Sequence, residues 1–115
     1  MTIDTLLKQI LNNPNQIVFS DVMQVIEKNY HFTETAFKNG KQHNKAGENS
    51  GSCKVFSFAQ RHALDKQQTL ALFGEYYRED VLKNPQADNH QNIRQFMQKG
   101  FSGISFEQEA LTPKT

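Results

Sequence analysis

The sequence is short of the residues that most often announce a function. Its 115 residues hold one cysteine and no tryptophan. A single thiol excludes an intrachain disulfide, and no Asn-x-Ser/Thr acceptor site occurs, so nothing points to an oxidising compartment and a reducing cytosol fits best. Cys-x-x-Cys, His-Glu-x-x-His and EF-hand patterns are missing, which argues against a zinc or calcium site and leaves for a metal only a composite of Glu75, Asp88 and His90, residues that more often serve as solvated face or caps, and no motif implies a cofactor. Charge of one sign is missing as well. Thirteen Lys and Arg against twelve Asp and Glu leave +1, with the basic residues scattered, so neither nucleic acid nor a membrane surface is an expected partner. No apolar run could span a bilayer, and Met1 to Leu7 lacks the basic start and long apolar stretch of a cleavable export signal. A non-cleaved secretion signal would leave no such trace.

Residues 1–115 are enough for one domain with one core and too few for two. The hydrophobic fraction is 37% and the mean hydropathy −0.70, yet the apolar residues recur in periodic clusters that can be buried together, which argues against wholesale disorder. With nine Phe and three Tyr, much of the core must be aromatic.

The periodicity predicts an all-α domain of about five to seven helices. Ile3, Leu6, Leu7, Ile10 and Leu11 trace one amphipathic face before Asn12-Asn13-Pro14. Ser20 is placed to cap a second helix with Val22, Val25, Ile26 and Tyr30 inward, and Thr33 to Phe37 suggests one further helical turn. Ser52 reads as the cap of a helix carrying Val55, Phe56, Ala59, His62 and Ala63. Asp65 with Gln68 forms a capping box for a long helix from about Lys66 to Lys83, in which Gly74 suggests close approach of another helix. Asp88 or Asn89 caps a last helix with Ile93, Phe96 and Met97 inward, ended by Gly100. Phe101 to Phe106 alternates like a strand but has no evident partner, so extended chain against the core is expected there. No internal repeat is present.

Between the second and third blocks of helix lies a polar stretch, about residues 38–52, that holds Asn39, Asn44 and Asn49 and leads to Cys53. It reads as a long loop. Compact domains seldom carry so much irregular chain unless it binds something or acts as a lid.

Three blocks of the sequence resemble the HopJ family, small proteins named for a type III secretion effector of plant-pathogenic bacteria. They are Asn39-Gly40 with Asn44-x-Ala46-Gly47-Glu48-Asn49-x-Gly51-Ser52-Cys53-Lys54, then Thr69-Leu70-x-x-Phe73-Gly74-Glu75-Tyr76-Tyr77-Arg78-x-Asp80-Val81-Leu82, and His90-Gln91-Asn92-Ile93-Arg94-x-Phe96-Met97. Asn89 stands where the family is expected to run directly from Asp to His, and Phe101 where a Trp is usual. The resemblance implies a small soluble effector-type or binding domain, cytoplasmic or injected into a host cell by type III secretion. It brings no defined chemistry, because function belongs to sites.

The candidate site residues therefore come from the chain itself. Cys53, in the first turn of a capped helix and beside Lys54, would have a lowered thiol pKa, and His62 or His90 could serve as its base in a small hydrolase or transferase. Cysteine is also among the most buried residue types, and an inert core thiol is the preferred reading. Whether the chain is an enzyme at all stays open. Asn39, Asn44, Asn49 and Asn92 offer amide donors and acceptors, Ser52 and its helix start an anion-tolerant end, and His90 with Arg94 a cationic or proton-handling edge, while Arg78 with Tyr76, where they stand out from the core, would form a polar-aromatic patch for a partner. The polar stretch and the starts of the Cys53 and His90 helices are expected to converge on one face. The expected partner is a small molecule or a host or bacterial protein, bound by a monomer.

Overall fold

Helix α1 (Ile3–Asn12) starts at Thr2, whose side chain accepts from the Thr5 backbone N–H, and buries Leu6 and Ile10. Leu11, expected on the buried face, is 70% exposed because it lies too far round the helix. A single 3₁₀ turn at Pro14–Gln16 leads to α2 (Phe19–Asn29), which buries Val22, Val25 and Ile26. Ser20 does not cap α2. The helix begins one residue earlier, after Val18, which has no side-chain acceptor to offer. Glu75 supplies one from a distant part of the chain, accepting the Phe19 N–H at 2.8 Å.

The computed structural model describes residues 1–114, and it corrects the all-α expectation: the helices are joined by two small antiparallel sheets. Strand β1 (Tyr30–Phe32) pairs with β5 (Leu111–Pro113), with His31 opposite Thr112. Strands β2 (Phe37–Asn39), β3 (Gln42–Asn44) and β4 (Ile104–Phe106) form the second sheet in the order β3-β2-β4. The tail at residues 104–106 thus has a partner after all, and the helical turn expected at Thr33 to Phe37 is extended chain.

The first part of the expected loop is a β-hairpin. Gly40, at φ +58°, takes the first central position of a two-residue turn with Lys41, a conformation that glycine adopts without strain. Strand alternation is present but disguised. Phe37, Asn39 and Asn44 are buried while Lys38 and His43 are exposed, so two of the inward positions are asparagines and the polarity of the stretch hides its period.

Helix α3 (Ser50–Arg61) starts two residues before the expected cap, after Asn49, and Ser52 lies inside its first turn. Asp65 and Gln68 do form the capping box of α4 (Lys66–Ala71). The long helix expected from Lys66 to Lys83 is broken at Gly74, which has φ +58°, and the chain continues as a π-helical turn at Tyr76–Val81. Helix α5 (Gln91–Lys99) follows His90, so neither Asp88 nor Asn89 is its cap, and Gly100 at φ +60° ends it.

The core is aromatic, as nine Phe require. The Phe56 ring lies 4.9 Å from that of Phe96 and 5.4 Å from that of Phe73, between centroids. Phe101 meets Phe96 edge to face at 4.9 Å, so it fills its place as an apolar wedge.

Candidate functional site

Helices α3 and α5 share an unusual start. Each follows a non-glycine residue in the left-handed region, Asn49 (φ 51°, ψ 46°) and His90 (φ 53°, ψ 48°), and neither residue caps its helix with its side chain. Asparagine and histidine tolerate this region better than most residues. Each side chain is drawn away by another partner. Asn49 Nδ2 donates to Asn44 Oδ1 at 2.7 Å, and His90 Nε2 lies 3.0 Å from Asp80 Oδ2 on the π-helical turn. The first-turn N–H groups of a helix have no acceptor within it, and they carry the positive end of its dipole.

Both helix starts open on the same cleft of about 380 Å³. Asn49, Gly51 and Ser52 line it from α3, and His90, Gln91 and Asn92 from α5. Phe19, Phe73 and Tyr76 form an aromatic wall. The Tyr76 centroid lies 4.9 Å from that of Phe19 and 5.3 Å from that of His90. Gly51 keeps the cleft open at the α3 end, because a Cβ there would come within 2.9 Å of Phe19 Cζ.

Behind the cleft the asparagines bond to one another. Asn39 Nδ2 donates to the backbone oxygen of Asn92 at 2.7 Å and to its Oδ1 at 3.1 Å. Asn44 Nδ2 donates to the same Oδ1 at 3.1 Å, and Asn92 Nδ2 returns a bond to Asn44 Oδ1 at 3.0 Å. This buried cluster ties the hairpin to α5 and, through Asn49, to α3. Asn39 and Asn44 are therefore occupied in holding elements together, whereas Asn49 and Asn92 also face the cleft.

Glycine 74 and its neighbours fix the aromatic wall. A Cβ on Gly74 would sit 2.7 Å from the Phe19 backbone nitrogen and 2.9 Å from the Ile17 oxygen, so only glycine allows this approach. Arg78 Nη1 donates to that same Ile17 oxygen at 2.6 Å, while Glu75 holds the Phe19 N–H. Gly74, Glu75 and Arg78 clasp the start of α2 and so position Phe19 and Tyr76. The sequence signal for this was the glycine set among apolar residues. Phe19 carried no comparable signal, and Glu75, Tyr76 and Asp80 stand in the second HopJ-like block without any sign of these roles, which depend on contacts made across the fold.

The remaining candidates stand apart. Cys53 is 1% exposed in the core, and burial pushes its thiol up to about 11 against the pull of the Ser57 side chain and Lys54. The helix start that was expected to lower its pKa is outweighed, and the cysteine-enzyme reading has no support in this geometry. His62 bonds to the Tyr30 hydroxyl at 2.9 Å, and its pKa is lowered by burial and then by Arg61. Arg94 donates to Asn89 through both Nε (2.6 Å, to the backbone oxygen) and Nη2 (2.9 Å, to Oδ1), fastening the turn before α5. Among the described residues no group of three His, Cys, Asp or Glu is placed to hold a metal ion, and no helix is long and apolar enough to cross a membrane.

The model of one family, described as HopJ type III effector protein, matches residues 3–111. The chain belongs to the HopJ family. Its fold is similar to that of a crystal structure of an unknown function protein, VPA0580, with 52% identity, a TM-score of 0.97 and coverage of 99% of this chain and 95% of that chain. No curated protein matches the sequence. The three HopJ-like blocks, far apart in the chain, each give the cleft a wall: Asn49, Gly51 and Ser52 from the first, Phe73 and Tyr76 from the second, and His90, Gln91 and Asn92 from the third.

Proposed function

We propose that this HopJ-family protein is a monomeric effector-type recognition module that binds a small anionic molecule, a carboxylate or phosphate ester, in the cleft between α3 and α5. The observation that carries this reading is the pair of helix starts on one cleft, neither capped by the side chain before it. Two dipole ends and several free peptide N–H groups favour negative charge there. Ser52 adds a hydroxyl, Asn49 and Asn92 add amide edges, and the wall of Phe19, Phe73 and Tyr76 suits a flat apolar part of the ligand. The family supports an effector-type role, exercised in the bacterial cytoplasm or after injection into a host cell.

The test is a set of backbone amide spectra recorded while carboxylate and phosphate metabolites are added. Saturable shifts confined to residues 50–52, 91 and 92 and to the indole-free aromatic wall are expected for at least one ligand. Unmoved amides at both helix starts across the whole set would end the proposal.

A further inference from the structure

Asn39 is the one asparagine of this chain that is followed by glycine. In an open chain such a pair is chemically unstable. The Gly40 nitrogen, crowded by no Cβ on its own residue, attacks the side-chain carbonyl carbon of Asn39; a C–N bond forms, the Cγ–Nδ2 bond breaks, and ammonia departs to leave a five-membered succinimide. Water then opens the ring. Attack at Cγ yields aspartate, and attack at the backbone carbonyl carbon yields isoaspartate, in which the chain runs through the former side chain.

The fold obstructs each part of this reaction. The nucleophile is engaged, because the Gly40 N–H donates at 3.0 Å to the oxygen of Gly103 in the 3₁₀ turn (Gly100–Gly103) that follows α5. The leaving group is engaged too, since Asn39 Nδ2 donates to the Asn92 backbone oxygen and to Asn92 Oδ1. The Lys41 N–H donates to Gln95 Oε1 at 3.1 Å and so fastens the turn to α5, and Asn39 has no exposed surface, which keeps out the water that the second step consumes.

The product does not fit the place that the asparagine fills. Among the described residues Asn39 Oδ1 already has no donor. An oxygen in place of Nδ2 would set a buried carboxylate against the two Asn92 oxygens with no hydrogen to share, a charge left without any partner. Isoaspartate also adds a carbon to the backbone of β2, beside the left-handed Gly40, and spoils its register with β3 and β4. We propose that Asn39-Gly40 is a self-modification site, held unreacted while the hairpin is closed, and that a chain left open long enough to convert cannot close its hairpin again. The device is a one-way lock. Asn92 lines the cleft, so a converted chain loses the contact that holds that wall against the hairpin.

Protein kept at pH 8 in buffer is compared with protein kept in guanidinium chloride, and peptide masses report the amide at each asparagine. In the denaturant Asn39 should convert ahead of every other asparagine. In the native protein it should convert about a hundredfold more slowly or less, the protection of a segment that opens only with much of the fold. Samples withdrawn over time are returned to buffer. The fraction that recovers the native amide shifts of residues 37–44 and 92 should fall in step with the fraction converted at Asn39, whereas chains kept in denaturant at pH 5, where the Gly40 nitrogen reacts slowly, should recover in full. Asn39→Asp supplies one product in pure form and should lack the hairpin shifts from the outset; if it does not fold at all, the time course decides. Native conversion as fast as that in denaturant, earlier conversion at another asparagine, converted chains that regain the hairpin shifts, or equal loss of recovery at pH 5 would each overturn the proposal.

Discussion

Cys53 shows how a residue's neighbours decide its chemistry. Its backbone N–H bonds to the Asn49 oxygen, so the thiol belongs to the first full turn of α3, a place that ordinarily favours thiolate. Yet the same helix turns that position into the core, and desolvation wins, taking the thiol from about 9 up to about 11. A consequence for stability follows from the sign of the shift. Below pH 9 the thiol is protonated in both folded and unfolded chains and has no effect on the pH profile. Between about 9 and 11 the unfolded chain gives up its proton while the folded one keeps it, so stability falls as pH rises through that window. The loss approaches roughly 2 kcal/mol at its upper end. Urea midpoints of the wild-type protein and Cys53→Ala, compared at pH 8 and pH 10.5, isolate this contribution from other titrating groups. The wild-type protein should lose more stability than the variant over that interval; parallel losses would mean that the thiol is not desolvated.

At the scale of the elements, Gly74 is the hinge on which the long predicted helix divides. The apolar spacing of Leu70, Phe73, Tyr77 and Val81 suits a continuous helix, and nothing local in the sequence forbids one. The break comes from tertiary contact: the chain must pass within touching distance of the Ile17–Phe19 backbone and still deliver Glu75 to the Phe19 N–H and Arg78 to the Ile17 oxygen. A left-handed glycine followed by a wider π turn meets that demand. The hairpin was hidden for a related reason. Its inward positions, Asn39 and Asn44, donate their Nδ2 groups to Asn92, more than fifty and forty residues away, respectively, so the stretch reads as a polar loop until α5 is in place. By contrast α1, α2 and the Asp65 capping box rest on local patterns, and their existence was legible. For Gly74→Ala, strain at positive φ and collision with the α2 backbone both count, and together cost roughly 2–5 kcal/mol. Gly100→Ala gives the comparison, since its φ is also positive but its Cβ would meet nothing nearer than Lys66 Cδ at 3.6 Å. Chemical denaturation should therefore rank Gly74→Ala as clearly the more damaging, and comparable losses would remove backbone approach as the reason for glycine at 74.

On the scale of the whole molecule, α3 divides the protein into two ends. Its start, with the hairpin, α5 and the π-helical turn, builds the cleft, while its last turn meets the chain after β4, where Ser57 and Arg61 lie beside Ala110 and Leu111. Twelve residues of helix separate these ends by about 16 Å. Leu111 is fully buried, and it anchors β5 against β1, where it faces Phe32. Arg61 Nη1 also donates to the Leu111 oxygen at 3.3 Å and pairs with Glu109 at 2.6 Å, so the strand is held by backbone, charge and core contact together. Only the core contact carries a large energy, because the ion pair is exposed to solvent. Leu111→Ala should accordingly cost roughly 2–5 kcal/mol in urea denaturation, and Arg61→Ala should cost much less. Because the packing lost lies at the far end of α3, the amides of residues 50–52, 91 and 92 should keep their wild-type shifts in Leu111→Ala below its unfolding transition. Movement of those amides would mean that the β1 and β5 pair helps to shape the cleft, joining the two ends into one mechanical unit.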